Sequence, residues 1–527
     1  MRPLLPIIAA ILALAAVPSL ALASPTQESM FQDDPMLVYG TTEQVTSTLD
    51  TLQTLGVDRI RVSVFWHFVA PANDQPQKPS FDATDPAQYP AEHWAPYDRL
   101  VQEALARGIL VNLNITTPVP RWAASQAPRA DIQETFGPNP DEFGKFARAV
   151  GTRYSGTYAG LPRVDYWSIG NEPNQAGWLT PQWSPDPRND KKMVDASPMI
   201  YRKLLAAAWQ ALADSGHGSD TILVGETAPQ GERNDKDLTQ SIDALKFIRR
   251  LYCLDDNLNV LKGSNAQVRE CPGDVASFVA QNPALFRATG YAHHPYALLT
   301  PPGRRSSWPD WVSISDLSAL SRELARIYRR YGQKMQSKSG VPLYLTEYGY
   351  QTKPDPIVGS LVSFDRQAAW INQAEYIAYK NSNVRAVSQF LLVDDGPVAG
   401  VDPKKNPRLA WRTFQSGLQL LSGTRKPSYK AYMTPIFVKQ PRIRPGRSTG
   451  IFGMLRSAPS GAAVPVQLQF RRRGSKRWVT RKRVTAGGAR HYFETRMVVP
   501  RSGHVRILWS NGGRPVASRA AAVTVAR

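Results

Sequence analysis

WSIGNEP at residues 167–173 and LYLTEYG at residues 343–349 share one pattern, in which a short apolar stretch ends and a lone glutamate follows. The two glutamates are Glu172 and Glu347. In a barrel of parallel strands, functional side chains stand at the rim where the buried strands end. The two stretches therefore predict two strands of such a barrel, each followed by an acid at the rim.

Similar apolar stretches recur between about residues 36 and 395, separated by segments with the period of amphipathic helices. We predict eight strands, at residues 36–39, 59–64, 109–115, 164–169, 221–224, 288–292, 341–346 and 386–392. The predicted helices include residues 97–106, 141–154, 198–214, 238–251, 315–331 and 364–380. Eight such units favour the α/β class, as a closed (β/α)₈ TIM barrel rather than an open sheet.

The composition changes after about residue 435. Residues 438–527 hold 20 Lys and Arg and a single acid, Glu494, so this segment accounts for +19 of the chain's formal charge of +21. Its short runs of alternating apolar and polar residues, separated by Gly, Ser and Pro, are typical of antiparallel strands. We predict a basic all-β sandwich domain at residues 438–527, which follows a barrel domain at residues 24–435.

The first residues have the pattern of an export signal. Arg2 precedes an apolar run at residues 4–17, and the small residues Ala21 and Ala23 form an A-x-A cleavage site. We predict a signal peptide at residues 1–23, cleaved near Ala23, and a secreted protein with no transmembrane segment after cleavage. An uncleaved membrane anchor is the alternative interpretation.

Only two cysteines occur, Cys253 and Cys271. In an exported protein two cysteines are expected to pair, and closing a loop of this length would stabilise the fold by about 3 kcal/mol on the chain-entropy model. Two free thiols are the alternative.

Asn171-Glu172-Pro173 after the fourth predicted strand, together with Thr346-Glu347 at the end of the seventh, resembles the clan A retaining glycoside hydrolases, which include cellulase-like and β-xylosidase-like (β/α)₈ families. The resemblance spans about residues 36–435. It implies that Glu172 is the acid that later serves as base, and that Glu347 is the nucleophile. Retaining cleavage of a glycosidic bond requires two carboxyl groups about 5 to 5.5 Å apart.

The resemblance also implies roles for neighbouring residues. Asn171 would bind the 2-hydroxyl of the sugar, and Arg61 on the second strand would keep Glu347 ionised. His294 and Tyr296 in the sixth unit would bind the sugar or the nucleophile, although His294 also fits a purely structural role. A third acid at a strand end, Glu226, fits hydroxyl binding and a supporting ion pair equally well.

Aromatic side chains stack on the apolar faces of pyranose rings, so a sugar groove should be lined by them. We predict substrate contacts from Trp66, Trp122, Trp178 and Trp411, and favour Trp178 and Trp411. Packing within loops is the alternative for each.

These features together imply a secreted retaining glycoside hydrolase that cleaves O-glycosidic bonds of a polysaccharide or oligosaccharide. The sequence holds no cluster with metal-ligand spacing, so we expect no cofactor and no metal. The alternative is a non-catalytic carbohydrate-binding or cell-envelope-binding protein on the same barrel, and transglycosylation would use the same carboxylates. The basic segment indicates an anionic polymer of the cell envelope as a further partner, and no nucleic-acid motif is visible. The alternative is an arginine-rich composition spread over a solvated sandwich that only packs on the barrel.

Overall fold

The computed structural model describes residues 24–233, 236–352 and 362–526. The predicted signal peptide at residues 1–23 lies outside these residues. No helix in the described ranges is both long enough and apolar enough to cross a membrane.

Eight parallel strands close into a barrel, in which each strand pairs with its neighbours in chain order and the first pairs with the last. This confirms the predicted TIM barrel. The strands are β1 Glu28–Gln32, β2 Arg59–Phe65, β3 Leu110–Thr116, β4 Tyr166–Ile169, β5 Thr221–Thr227, β6 Gly290–His293, β7 Leu343–Leu345 and β8 Val384–Phe390.

The prediction of the first strand at residues 36–39 is wrong. Residues Asp34–Leu37 form a short helix, and the first barrel strand is β1, which begins eight residues earlier than predicted. The side chain of Asp33 accepts a hydrogen bond from the backbone N–H of Met36, and Pro35 stands in the first turn. Both features favour the start of a helix, because an N-cap side chain satisfies a free N–H and proline supplies the helical φ.

Helices surround the barrel, and the six predicted helices are present with shifted ends. The α-helices are Asp34–Leu37, Thr42–Leu55, Trp66–Val69, Ala91–Ala106, Pro140–Arg153, Ser197–Leu212, Ala244–Leu251, Gly263–Gln267, Val275–Gln281, Ala284–Arg287, Leu317–Arg330, Phe364–Tyr379, Pro407–Ala410 and Pro427–Met433. A short hairpin, Trp183–Asp186 with Asn189–Asp195, extends the connection after β4.

The barrel interior is filled rather than open. Buried side chains from six strands meet there, among them Met30, Leu223 and Ala386, and the rings of Tyr166 and Tyr344 contact each other edge to face with centroids 5.7 Å apart. This layer forms a closed floor, so access to the barrel is from its rim.

The C-terminal segment folds into two sheets that enclose a core of their own, which includes Ile451, Leu468, Val505 and Trp509. This confirms the predicted all-β sandwich. Its strands are β9 Ile436–Val438, β10 Arg442–Ile443, β11 Ser448–Met454, β12 Val464–Arg472, β13 Val479–Ala486, β14 Tyr492–Val498, β15 Gly503–Asn511, β16 Arg514–Ala517 and β17 Ala521–Val525. One sheet has the order β9-β11-β14, and the other β10-β17-β15-β12-β13, with β16 paired to β15.

Cys253 and Cys271 form a disulfide, which confirms the predicted pairing. The bond closes a loop that contains the short helix Gly263–Gln267. Arg202, on helix Ser197–Leu212, donates hydrogen bonds to the backbone oxygens of Arg269 and Glu270 in this loop. The disulfide loop therefore packs on the outer helices.

Candidate active site

Three glutamates stand at the rim, where β4, β5 and β7 end. Glu172 and Glu226 have φ of 39° and 50°, a left-handed conformation that non-glycine residues seldom adopt. The backbone N–H of Glu172 donates to the backbone oxygen of Glu226 at 2.9 Å, which ties the two strand ends together. Such strained residues occur where the surrounding structure must aim a functional side chain.

Tyr201 supports this arrangement from below. Its hydroxyl donates to the backbone oxygen of Ile169 in β4 and accepts from the N–H of Gly225 in β5. A Cβ on Gly170 would lie 2.9 Å from the Tyr201 ring, and Gly170 has φ of 81°, so only glycine fits between β4 and Glu172.

Glu172 and Glu347 meet across the rim. Three atoms lie within 4.8 Å of one another here: one carboxylate oxygen of Glu172, one of Glu347 and a ring nitrogen of His294. His294 Nδ1 is 2.9 Å from Glu172 Oε1 and 4.0 Å from Glu347 Oε2. Both glutamate side chains keep some solvent exposure, 18% and 13%, whereas His294 is fully buried. The two carboxyl groups therefore face one shared space that solvent reaches.

Glu347 is held by two further groups. The Tyr296 hydroxyl donates a hydrogen bond to its Oε1 at 2.7 Å, and Arg61 Nη1 lies 3.7 Å from its Oε2. Burial raises the pKa of Glu347 above its ordinary value, and the charges of His294 and Arg61 oppose that rise. Burial also raises the pKa of Tyr296 well above its ordinary value, so its hydroxyl keeps the proton that it donates.

Glu226 lies beneath the pair and is fully buried, so it cannot contact a sugar hydroxyl. Arg61 donates to both of its oxygens, and Asn114 Nδ2 donates to Oε2. Burial would raise the pKa of Glu226, but Arg61 and His294 outweigh it and lower the pKa to about 2. Of the two roles left open by the sequence, the structure shows the ion pair.

Arg61 and Asn171 extend the same network. Arg61 Nη2 donates to Asn171 Oδ1 at 2.6 Å, and the backbone N–H of Asn171 donates to Thr116 Oγ1. Burial would lower the pKa of His294, but the carboxylates of Glu347, Glu172 and Glu226 outweigh it and raise the pKa to about 9. At neutral pH the His294 ring is therefore a cation among three acids.

Two groups of side chains within the described residues could offer ligand atoms to a cation: Glu172 with His294 and Glu347, and His67 with Asp74 and Glu134. In the first group the His294 Nδ1 lies 2.9 Å from Glu172 Oε1, within hydrogen-bond distance. The second group is open to solvent, since the side chains of Asp74 and Glu134 are 80% and 48% exposed.

The predicted tryptophans occupy different environments. Trp66 cannot bind substrate as predicted, because its side chain is fully buried and packs on Phe143 and Phe146 in the core. Trp122 is half-buried, contacts the Trp66 ring edge to face, and donates its indole N–H to the backbone oxygen of Pro71. Trp411 is half-buried just after helix Pro407–Ala410.

Trp178, also half-buried, belongs to a row of aromatic rings that the sequence did not reveal. Its ring is parallel to that of Phe65 at 6.0 Å, Phe65 contacts Phe68 at 5.8 Å, and Phe68 contacts Tyr39 at 6.5 Å between centroids. Tyr39 and Phe68 are half exposed. We call these four residues the rim aromatic row. Phe65 directly ends β2, a position that could have suggested it.

A closed (β/α)₈ barrel with two glutamates facing each other after β4 and β7 defines the class of the glycoside hydrolases. The sequence matches the cellulase family, glycosyl hydrolase family 5, over residues 23–387. The chain belongs to this family. No curated protein is similar enough in sequence to count as a relative.

The chain is also similar to several solved structures. One is a family 39 glycoside hydrolase from Bacteroides cellulosilyticus WH2, with 13% identity, a TM-score of 0.46, and coverage of 91% of this chain and 81% of that chain. Another is GH5_18 from Streptomyces cattleya in complex with GlcNAc, with 15% identity and a TM-score of 0.44. The match covers 78% of this chain and 79% of that chain. A family 1 β-glucosidase from Thermotoga maritima has 13% identity and a TM-score of 0.42. The match covers 74% of this chain and 85% of that chain.

Proposed function

We propose that this protein is a retaining glycosidase that hydrolyses O-glycosidic bonds of a polysaccharide or oligosaccharide by two successive displacements. The observation that carries the proposal is the separation of the carboxylates, with oxygens of Glu172 and Glu347 within 4.8 Å. Retaining enzymes hold their carboxyl groups about 5 to 5.5 Å apart, whereas inverting enzymes need about 6.5 to 9.5 Å to admit a water between them. The space here favours direct attack by one carboxylate.

The surroundings of the two acids favour different roles. Glu347 accepts a hydrogen bond from the Tyr296 hydroxyl and lies beside Arg61, and both contacts stabilise an ionised carboxylate. Among the described side chains, Glu172 has one charged partner in this network, the His294 ring at Oε1, so fewer groups stabilise its ionised form than that of Glu347. Its second oxygen is therefore available to carry the proton that Glu172 transfers to the leaving group. We assign Glu347 as the nucleophile and Glu172 as the acid and base.

In the first displacement, Glu347 attacks the anomeric carbon while Glu172 transfers its proton to the departing glycosidic oxygen. This step forms a glycosyl ester on Glu347 and breaks the glycosidic bond. In the second, Glu172 accepts a proton from water, the resulting hydroxide attacks the same carbon, and Glu347 leaves as a carboxylate. Loss of the charge on Glu347 between the two steps makes it easier for Glu172 to stay ionised as a base.

Asn171 and the rim aromatic row would bind the sugar. Arg61 holds the Oδ1 of Asn171, which leaves the Nδ2 to donate to a hydroxyl next to the anomeric carbon. A hydrogen bond of this kind strengthens as positive charge develops in the transition state. Trp178 and the neighbouring rings would stack on adjacent sugars. We further propose that the enzyme acts outside the cell, because residues 1–23 carry the export pattern.

The test compares Glu347→Ala with Glu172→Ala on aryl β-glycosides, with and without azide. Each variant should lose about 10²-fold or more in kcat. Azide should rescue Glu347→Ala with a product of inverted anomeric configuration, and Glu172→Ala with a retained one, because azide replaces the nucleophile in the first and the activated water in the second. Glu92→Gln, which removes an exposed carboxyl on helix Ala91–Ala106, is the control and should keep full activity.

Two outcomes would contradict the proposal. An initial product of inverted configuration from the parent enzyme would exclude the double displacement. A parent that binds glycans but hydrolyses no substrate in a broad panel of aryl glycosides and polysaccharides would favour a carbohydrate-binding protein. Products longer than the starting glycan would show transglycosylation by the same two residues.

A further inference from the structure

The hairpin formed by β12 and β13 concentrates positive charge. Residues 471–483 contain eight Lys and Arg and no acid. β13 is the edge strand of the larger sheet. The basic residues of the hairpin with exposed side chains are Arg472, Arg473, Lys476, Arg477, Arg481 and Arg483. This density at one edge of one sheet sets the hairpin apart from the rest of the basic segment.

Two arginines on the outer face of this sheet share one tryptophan. The guanidinium carbons of Arg471 and Arg506 lie 4.8 Å and 4.3 Å from the ring centroid of Trp478. In the register of β12 and β15, Arg471 is opposite His504 and Gln469 is opposite Arg506, so these side chains share the face that points away from the sandwich core. We call Arg471, Trp478, His504 and Arg506 the arginine-tryptophan face.

The arginine-tryptophan face has no counter-charge of its own. No carboxylate in the described part of the chain lies within ion-pair distance of Arg471 or Arg506. The one acid of the basic segment, Glu494, lies on the other sheet and pairs with Lys439 and Lys380. Besides its contact with the ring, the Arg506 guanidinium donates a hydrogen bond to the neutral Gln469 Oε1, at 2.8 Å.

The electrostatics show that these charges repel one another. Burial and the charge of Arg471 lower the pKa of Arg506. Burial and the charges of Arg471 and Arg473 lower the pKa of His504, whose Nδ1 is buried without a hydrogen-bond partner. Like charges held together cost free energy in the free protein, and a bound anion would relieve that cost.

The chemistry of the face fits a sugar polymer that carries acidic groups. A guanidinium forms two parallel hydrogen bonds with a carboxylate or a sulfate, and an indole ring stacks on a sugar. The polar side chains of Gln467, Gln469 and Thr480 lie alongside, within hydrogen-bond reach of one another. A membrane surface fits less well, since the exposed large hydrophobic residues of the described sandwich are only Val479 and Val498.

We propose that the arginine-tryptophan face and the adjoining basic hairpin bind an acidic polysaccharide. The sandwich would then hold the protein on an anionic glycan through a surface separate from the rim of the barrel. The proposal does not depend on the hydrolytic activity proposed above.

The test measures binding of the full-length protein to polygalacturonate and to dextran sulfate, with uncharged dextran as the neutral polymer. The double variant Arg471→Gln/Arg506→Gln should bind the acidic polymers about ten-fold more weakly at about 0.15 M salt, a loss of the size expected for removing two charge-assisted contacts. Binding by the parent should also weaken as salt rises, because exposed charges are screened. A response to polygalacturonate alone would identify carboxylates, and a response to both would identify acidic groups in general.

The matched control is Arg444→Gln/Arg447→Gln. It removes two exposed charges from the turn after β10, at the opposite edge of the same sheet, so the net charge falls equally. This variant should lose less than about two-fold in affinity, because long-range charge contributes little once screened. Trp478→Ala, which keeps every charge, should also weaken polysaccharide binding by several-fold. Circular dichroism would confirm that each variant is folded.

Three outcomes would overturn the proposal. The first is equal weakening in the two double variants, which would show general attraction by net charge. The second is failure of the parent to bind either acidic polymer. The third is preferential binding of single-stranded DNA, or of vesicles with anionic phospholipid, over both acidic polysaccharides, which would assign the face to a different partner.

Discussion

At the scale of single residues, the site depends on a carboxylate that does not face the substrate. Glu226 is fully buried, accepts hydrogen bonds from Arg61 and Asn114, and lies 3.8 Å from His294 Nε2. Because Arg61 also holds Asn171, the position of the proposed sugar-binding amide follows from the ion pair below it. Glu226 is therefore a positioning residue, and its removal would disturb the residues above it.

We predict that Glu226→Gln destabilises the fold by about 3 to 5 kcal/mol, because the buried Arg61 would lose the carboxylate that it contacts most closely. The pKa of Glu226 is about 2 in the fold, below its ordinary value of 4.5. The ion pair therefore stabilises the parent fully above about pH 4.5, and this contribution is lost as pH falls towards 2. Thermal unfolding between pH 7 and 3 would show a steeper loss in the parent than in Glu226→Gln. Asp50→Asn, which breaks the exposed pair with Arg107, should cost less than about 1 kcal/mol.

We predict that Tyr296→Phe lowers kcat/KM by about 10- to 100-fold with little change in stability. The substitution removes the hydrogen bond from the phenol to Glu347 Oε1, and bonds to charged groups contribute about 1.5 to 3 kcal/mol. Steady-state kinetics on an aryl glycoside would measure the loss. Tyr350→Phe is the control, because its hydroxyl donates to the backbone oxygen of Thr300 and not to an acid. Equal losses in the two variants would show that the effect is structural.

The rule that acids at strand ends meet at a barrel rim was enough to find Glu172 and Glu347 in the sequence. The same rule placed Trp66 wrongly at the rim. A residue that follows a strand can instead pack against the surrounding helices, and the local sequence does not distinguish the two orientations. Trp66 packs between Trp122 and Phe146. Nor could the sequence show the rim aromatic row, since Tyr39, Phe65 and Trp178 are brought together only by closure of the barrel.

At the scale of elements, seven of the eight strands could be predicted, because each is a short apolar run between turn residues. The first could not, since its apolar core is only Met30 and Phe31, while the next apolar run, around Leu37 and Val38, belongs to the helix that Asp33 caps. Only pairing with β8 and β2 shows that Glu28–Gln32 is a strand. Local pattern cannot supply that pairing, because the partner β8 lies more than 350 residues away in the chain.

We predict that Cys253→Ser/Cys271→Ser lowers stability by about 3 kcal/mol, the chain-entropy cost of opening a loop of this length. The loop contacts Arg202 on an outer helix, and no hydrogen bond or ion pair of the described residues joins it to Glu172, Glu226 or Glu347, so activity at low temperature should stay unchanged. Thermal unfolding of the oxidised parent and the double variant would measure the difference. If the variant instead lost activity while still folded, the loop would have a role in the site.

At the scale of the whole molecule, the sandwich and the barrel share a buried polar interface. Arg456, just after β11, pairs with Glu375 on helix Phe364–Tyr379 at 2.7 Å and donates to the backbone oxygen of Tyr432. Tyr492 from β14 also donates to Glu375. Both Arg456 and Glu375 are buried, and the pKa of Arg456 is raised because the charge of Glu375 outweighs the effect of burial. The sequence showed the change in composition at this boundary but not the contacts across it.

We predict that the parent unfolds in a single calorimetric transition and that Arg456→Ala separates the sandwich from the barrel. The substitution would leave Glu375 as a buried charge without its partner, at a cost of about 3 to 5 kcal/mol. This cost weakens the association of the two domains, whereas the hydrophobic core of each domain is unchanged. Differential scanning calorimetry should therefore show two transitions in the variant, the first at lower temperature than in the parent.

The control is Glu494→Gln at the rim of the same interface. Glu494 pairs with Lys439 and Lys380, and its side chain is 26% exposed, so its loss should cost less than about 1 kcal/mol and keep one transition. Two transitions in the parent itself would show that the domains unfold independently despite the buried pair. One unshifted transition in Arg456→Ala would show that apolar packing at the interface, and not the Arg456 to Glu375 pair, couples the two domains.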